Sequence, residues 1–272
     1  MVVVPSPSDA AGSGAGVWSA GSSRARSFDS AAAQYADSRP SYPPALLDAL
    51  EDLGGRPLAG AHVVDAGAGT GIATALLHRR GAHVVAVEPG EEMARELRRR
   101  VPGIPVLRGD GNALPLAGAC ADMVTYAQAW HWTDPPRAVP EAWRVLRPGG
   151  VLALWWNEDA LDIPWIAAQK GRIARHFGGD PSPRPRAEAG QLRRAFQGVE
   201  NVPPYAHRRL RWSRTMTVDQ HLANVGSHSI FLVSGEHAKA FLAEERARLL
   251  SLFPEGRVEE VYDVLLIVVP RP

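Results

Sequence analysis

The sequence predicts an α/β fold with a doubly wound parallel sheet. Three observations point there. From His62 onward, short β-branched runs alternate with helical stretches, the pattern of a parallel sheet covered on both faces. Three successive runs finish in an acid: Asp65, Glu88 and Asp110. And the first run leads into the glycine-rich turn Gly67-Ala68-Gly69-Thr70-Gly71 with a helix behind it. Glycine lets the backbone turn sharply and lets a ligand approach closely. The helix N-terminus then points free N–H groups at that ligand. A turn of this kind, at the carboxyl end of a parallel strand, is where open α/β sheets bind nucleotides.

Taken in order, residues 1–26 are rich in Ser, Gly and Ala and offer little to bury, so a disordered tail is expected. Residues 28–35 suit a short helix. The prolines at 40, 43 and 44 then break the chain, and one of the last two opens a helix over Ala45–Leu53 that ends at Gly54-Gly55. Tyr35, Arg39 and Tyr42 either anchor this pre-core segment (27–60) to the domain or form a lid over a ligand. The expected core spans 61–157. It comprises a strand at His62–Ala66, a helix at Ile72–Arg80 stopped by Gly81, a strand at His83–Glu88 and a helix at Glu91–Arg100. That helix carries acids in its first turn and arginines in its last, matched to its dipole. Strands follow at Val106–Asp110 and Asp122–Tyr126. Asp134 is placed to cap a helix running to Leu146 with Pro135 at its first position, and a turn through Gly149-Gly150 leads into a strand at Val151–Trp155.

After Asn157 the alternation stops. Helices are expected at Asp162–Phe177, Gln191–Phe196, Val218–Val225 (capped by Thr217) and Glu236–Leu252, with a loop from Gly178 to Pro185. His207–Trp212 reads as a strand, with Arg208, Arg209, Arg211 and Arg214 forming either a wet strand face or an attraction for an anion. An apolar closing strand is expected at Val261–Val269.

Composition narrows the class. Of 272 residues, 45% are hydrophobic and 22% charged, which suits one large globular domain or a domain with an insertion. A net charge of +1 offers no global attraction for nucleic acid or an anionic membrane surface. The single cysteine, Cys120, excludes an intrachain disulfide and fits a reducing compartment. No apolar run reaches the roughly 18 residues of a membrane span, and Met1–Pro5 is too short for a signal peptide core. A cytoplasmic protein is expected.

The glycine turn departs from the dinucleotide fingerprint G-x-G-x-x-G. Counted from Gly67, the third glycine should fall on residue 72, which is Ile72; the spacing here is G-x-G-x-G. The acids at the strand ends add specificity: Glu88 can accept from a ribose diol and Asp110 from an adenine amino group. With these pieces in view, the sequence resembles the class I S-adenosylmethionine-dependent methyltransferases, in the small-molecule group that includes the ubiquinone-biosynthesis and trans-aconitate types. The resemblance lies in Asp65–Gly71, Val87-Glu88-Pro89, Gly109–Pro115, Ala127–Trp132, Leu146–Gly150 and the lead-in Tyr35–Pro43. It covers residues 28 to 156.

That resemblance implies a Rossmann-like, mostly parallel seven-stranded sheet whose last strand is antiparallel. It implies a site for S-adenosylmethionine, with S-adenosylhomocysteine as product. Gly67, Gly69 and Gly71 let the backbone approach the cofactor, beside Ala66, Pro89 and Met93. Glu88 takes the ribose hydroxyls. Asp110 takes the adenine amino group with Gly111 and Asn112 alongside, and Ala127 and Gln128 pass beneath the methionine end. Tyr35, Arg39 and Tyr42 meet the cofactor carboxylate or close the pocket, while Asp65 orients the turn through backbone N–H groups. Residues 158–260 build the acceptor site.

A methyl sulfonium is already an activated electrophile, so in-line alignment supplies much of the rate, and a base is needed only for a protonated acceptor. His131 and His228 are the candidate bases; His131 has a rival role as pocket wall. Trp132, Trp155, Trp156, Asn157 and Tyr205 are candidates for the acceptor pocket. No metal is expected. Two rival readings remain: a methyltransferase fold that binds the cofactor but catalyses or regulates another reaction, such as a cyclisation, and an NAD(P)-dependent oxidoreductase, which the missing third fingerprint glycine argues against.

Overall fold

The computed structural model describes residues 39–178 and 188–272. The expected N-terminal tail, the helix of residues 28–35 with Tyr35, and most of the Gly178–Pro185 loop lie outside the described residues.

Seven strands form one sheet in the order β3-β2-β1-β4-β5-β7-β6. They are β1 (His62–Ala66), β2 (His83–Glu88), β3 (Val106–Arg108), β4 (Ala121–Ala127), β5 (Leu146–Asp159), β6 (Ala206–Thr217) and β7 (Arg257–Pro270). The first five pair in parallel. β7 runs antiparallel to both β5 and β6, between them. The predicted sheet, with its antiparallel closing strand, is present.

Both faces of the sheet are buried, as the unbroken apolar strands require. Val63, Met123, Ala153, Trp155, Val264 and Leu266 pack on one face beneath α1 (Pro44–Gly54), α2 (Ile72–Arg79) and α3 (Glu91–Arg100). Val64, Val124, Leu152, Leu154, Leu265 and Ile267 pack on the other, against α4 (Pro135–Val145). Each large aliphatic residue buried this way contributes about 1.5–3 kcal/mol. Pro44 starts α1 where its missing N–H costs nothing, and Gly55 ends it at φ 63°. Asp134 stands at the N-cap of α4, but its side chain makes no capping bond; its own N–H donates instead to Asn112 Oδ1 at 2.7 Å.

The later half contains α5 (Pro164–Phe177), α6 (Glu188–Ala195), α7 (Val218–Gly226), the short α8 (Ser229–Leu232) and α9 (Gly235–Leu252). Thr217 caps α7 as expected, in a capping box with Gln220. Several boundaries differ from the sequence reading. β3 stops at Arg108, so Asp110 lies past the strand, bridged to Ala113. β5 runs on to Asp159, β6 to Thr217, and β7 begins at Arg257. The alternation seen in 207–212 and 261–269 is only the middle of two longer strands. Their outer ends, Arg214–Thr217 and Arg257–Glu260, pair with each other alone. They form a ribbon that overhangs the carboxyl end of the parallel strands, with α7 and α9 packed on it.

The arginine strip of β6 is wet at Arg208 and Arg211 and partly buried at Arg209 and Arg214, and all four are ion-paired. Arg208 pairs with Asp52 and Arg214 with Glu260; Arg209 pairs with Glu158, and Arg211 with Asp162 and Asp263. Alternation sends them to opposite faces, and each face supplies acids.

Candidate active site

The glycine turn is fixed to the neighbouring strand before any ligand is considered. Gly67 N–H and Ala68 N–H both donate to Val87 O, at 2.8 and 3.1 Å. The three glycines have φ of 68°, 57° and 87°, the left-handed region that side chains rarely adopt. Their surroundings separate their roles. A Cβ on Gly67 would lie 2.5 Å from Ala129 Cβ, and one on Gly71 2.8 Å from Leu97 Cγ, so both are packing positions. Gly69 has nothing within 4 Å of that position, so its backbone faces open space.

Glu88 ends β2 directly beside this turn and is 7% exposed. Its carboxylate accepts from Gly69 N–H and from Gly90 N–H, each at 2.7 Å. The acid is therefore aimed at the mouth of the turn. Asp110 Oδ1 accepts from both the backbone N–H (2.9 Å) and the side chain (2.8 Å) of Asn112. Gly111 is fitted under Tyr126: a Cβ there would lie 2.9 Å from Cε1, and the tyrosine hydroxyl donates to Gly111 O at 2.7 Å. Burial, with the charges of Glu141 and Asp110, keeps that phenol protonated.

Asp65 has a different task from the one expected. It is fully buried. Its two carboxylate oxygens accept from Thr74 Oγ1 at 2.6 Å and Thr125 Oγ1 at 3.1 Å. Burial pushes it up to about 6, against the pull of those hydroxyls. Its carboxylate ties the first turn of α2 to β4 under the glycine turn, rather than the turn's own N–H groups. Thr74 and Thr125 escaped the sequence reading. The signal for them was a buried acid that needs donors.

Gln128 follows β4 at φ 56°, a left-handed conformation in a residue with a side chain. Its N–H donates to Trp155 O at 2.9 Å and its Nε2 to Asn157 O at 3.1 Å. Such backbone strain is characteristic of functional sites. Tyr42 is a core residue, 8% exposed and edge-on to Trp155 at 6.0 Å, so its ring is not a lid. Trp155 is itself 1% exposed and belongs to the core rather than to a pocket wall.

Arg39 is tied to the later half of the chain. Its Nη1 donates to His228 Nε2 at 3.1 Å, and its carbonyl accepts from Arg214. Because a guanidinium only donates, His228 accepts at Nε2 and carries its proton on Nδ1. Burial and the charges of Arg39, Lys170 and His221 push its pKa well below the usual histidine value. His228 is thus a neutral ring whose basic lone pair is already engaged, which argues against it as general base. His131 and Trp132 sit in one exposed 3-10 turn after β4, rings 4.8 Å apart. Trp156 packs on the α4 face. Tyr205 precedes β6, whose first residue pairs with Val268 at the level of Ala153, well below the carboxyl ends of the strands. It packs on Phe196 and is not brought to the other candidates.

Beneath the overhanging ribbon lies a buried polar group that the sequence did not reveal. Glu260 accepts from Arg214 Nε (2.7 Å), Tyr262 OH (2.7 Å) and Asn224 Nδ2 (3.1 Å), and its Oε1 is 2.6 Å from His221 Nδ1. Among the described residues no cluster of three or more His, Cys, Asp or Glu is placed to hold a metal. No helix among them is long and apolar enough to cross a membrane.

A parallel sheet with a reversed closing strand, a three-glycine turn and an acid at the end of the second strand define a methyltransferase scaffold. Comparison with known proteins agrees. A model described as a methyltransferase domain matches residues 64–154. An uncharacterized methyltransferase of Mycobacterium bovis is 37% identical over 228 residues, covering 84% of this chain and 87% of that protein. A malonyl-[acyl-carrier protein] O-methyltransferase of Pectobacterium atrosepticum is 39% identical over 95 residues, 35% of this chain and 38% of its own. Among solved structures, a candidate type II methyltransferase from Anaeromyxobacter dehalogenans superimposes with a TM-score of 0.65 at 23% identity, covering 86% of this chain and 98% of that one. The chain belongs to the class I S-adenosylmethionine-dependent methyltransferases.

Proposed function

We propose that this protein moves a methyl group from S-adenosylmethionine to an oxygen, nitrogen or carbon nucleophile of a small organic acceptor, in specialised metabolism. The observation that carries the reading is the pairing of Glu88 with the open backbone at Gly69. A carboxylate at the end of β2, held by the Gly69 N–H at 2.7 Å, and the open space beside Gly69 where a Cβ would project form a cradle. That cradle fits the cofactor's ribose and methionine parts. When bound, the cofactor supplies an activated methyl group.

In this reading Glu88 takes the ribose hydroxyls, Asp110, Gly111 and Asn112 border the adenine, and Gln128 supports the methionine end. Met93 and Ala66, both buried, back the site. Arg39 lies at its edge, ready to meet a carboxylate. His228 holds Arg39 in place by accepting at Nε2; it takes no proton from the acceptor. His131, exposed in the turn after β4, is the remaining candidate base, needed only for an acceptor that is protonated at working pH. The overhanging ribbon with α5, α7, α8 and α9 forms the acceptor cap.

Titration calorimetry with S-adenosylhomocysteine tests this directly. Saturable one-to-one binding is expected. A folded sample that shows no heat at millimolar ligand overturns the reading.

A further inference from the structure

We propose that Asn157 is a positioning residue that couples the acceptor cap to the floor of the cofactor site, and that the indole of Trp212 is its partner in that coupling. The proposal rests on the assignment of the cofactor site made above.

The geometry begins at Gln128. Its left-handed backbone is a strained arrangement that persists only where its surroundings hold it. Two bonds from β5 do so, and one of them is the carbonyl of Asn157. The side chain of the same residue reaches two further parts of the fold. Asn157 Nδ2 donates to Ser41 O at 3.1 Å, in the segment that leads into the domain. Asn157 Oδ1 accepts from Trp212 Nε1 at 3.0 Å, on β6. An indole nitrogen only donates and a carbonyl only accepts. The two partners therefore require a carboxamide in one orientation, with its oxygen toward Trp212. Both ends of the amide are in use within the fold.

From Trp212 the connection continues into the cap. Its ring stacks on Tyr262, with centroids 5.3 Å apart and planes at 28°. Tyr262 OH donates to Glu260 and accepts from Asn224 of α7. One residue thus joins the end of β4 through its backbone carbonyl, and the lead-in segment and β6 through its side chain, and through β6 the helix that covers the acceptor side. A displacement of α7 or β6 is transmitted to the residue that sets the position of Gln128.

The test measures S-adenosylhomocysteine affinity and thermal midpoint in the full chain and in variants. Trp212→Phe keeps an aromatic ring against Tyr262 and removes the N–H together with the five-membered ring, a truncation that the Trp165→Phe control shares. Asn157→Leu keeps the volume and removes both amide bonds. Each is expected to weaken binding about tenfold, the equivalent of one buried hydrogen bond, although the proposal gives neither side chain a contact with the cofactor. The double variant is expected to bind no more weakly than Asn157→Leu alone. Asn157→Asp still accepts from Trp212 and is expected to recover part of the affinity. Trp165→Phe alters another cap ring, packed on His221 and Phe253, and is expected to leave binding unchanged. The proposal is overturned if Trp212→Phe binds within twofold of wild type, if the two losses multiply in the double variant, or if Trp165→Phe loses as much. A failure of the wild type to bind overturns the functional reading and this proposal together; normal wild-type binding with unaffected variants overturns this proposal alone.

Discussion

Replacing Glu260 with glutamine tests whether the buried polar group beneath the ribbon holds the acceptor cap in place. The carboxylate is 3% exposed and faces Arg214, whose side chain is 23% exposed, and His221, at 7%. Burial pushes its pKa up, but the bonds from His221 and Tyr262 and the charges of Arg214 and His221 outweigh it and set the value at about 2, against 4.5 when free. The depressed value means that the folded state prefers the ionised form. Its contribution is therefore complete above about pH 4.5 and is lost as pH falls toward 2. The difference of about 2.5 pKa units corresponds to roughly 3 kcal/mol. An independent estimate agrees: breaking a buried ion pair by removing one partner costs about 3–5 kcal/mol. Urea unfolding of the wild type and Glu260→Gln should therefore differ by about 3 kcal/mol at pH 7, and the gap should close as pH falls from 4.5 toward 2. A gap below about 1 kcal/mol at pH 7, or one that does not change with pH, would refute the reasoning.

Two further perturbations separate support from binding. Asp65 has the opposite sign, since its pKa is raised from 3.8 to about 6 by burial. The folded state holds that proton more tightly than the unfolded chain, so the stability it confers is full below about pH 4 and declines as pH rises to 6, by roughly 3 kcal/mol. Asp65→Asn lacks the titrating group, so its stability relative to wild type should rise by about that amount between pH 4 and pH 7 in urea titrations; a constant difference contradicts the assignment. Glu88→Ala should weaken S-adenosylhomocysteine binding by about 10- to 100-fold, the range for hydrogen bonds to a charged acceptor. Calorimetry showing unchanged affinity would remove Glu88 from the site.

The cofactor half of the fold was legible because its signals are local. Val63-Val64-Asp65 and His83–Glu88 are short apolar runs ending in acids, and the turn between β1 and α2 advertises itself through three glycines. A conformation imposed by φ leaves a mark on composition; so does a helix beginning at Pro44 or Pro135. The half after Asn157 is held together differently. Glu260 meets His221, Asn224 and Arg214 across separations of 36 to 46 residues, and no spacing rule links them. The ion pairs of the β6 arginines left no local mark because their acids lie on α1, β5, β7 and the turn after β5. Trp155 looked like a pocket wall because an aromatic at a strand end is read the same way whether α1 covers it or not. Asp65 was read as an organiser of the turn because its two threonine partners lie on different elements.

The position of β7 also has a consequence for synthesis on the ribosome. β6 precedes β7 in the chain, yet β7 lies between β5 and β6. When residues up to Thr217 have emerged, β5 still presents an unpaired edge and β6 has no neighbour to join. An exposed strand edge with apolar side chains is a template for unwanted pairing with other chains. Only the arrival of Arg257–Pro270 closes it. Nascent chains paused between α7 and β7 should be the species most in need of chaperones, and a shortened β7 should lower yield of folded protein before it alters the glycine turn.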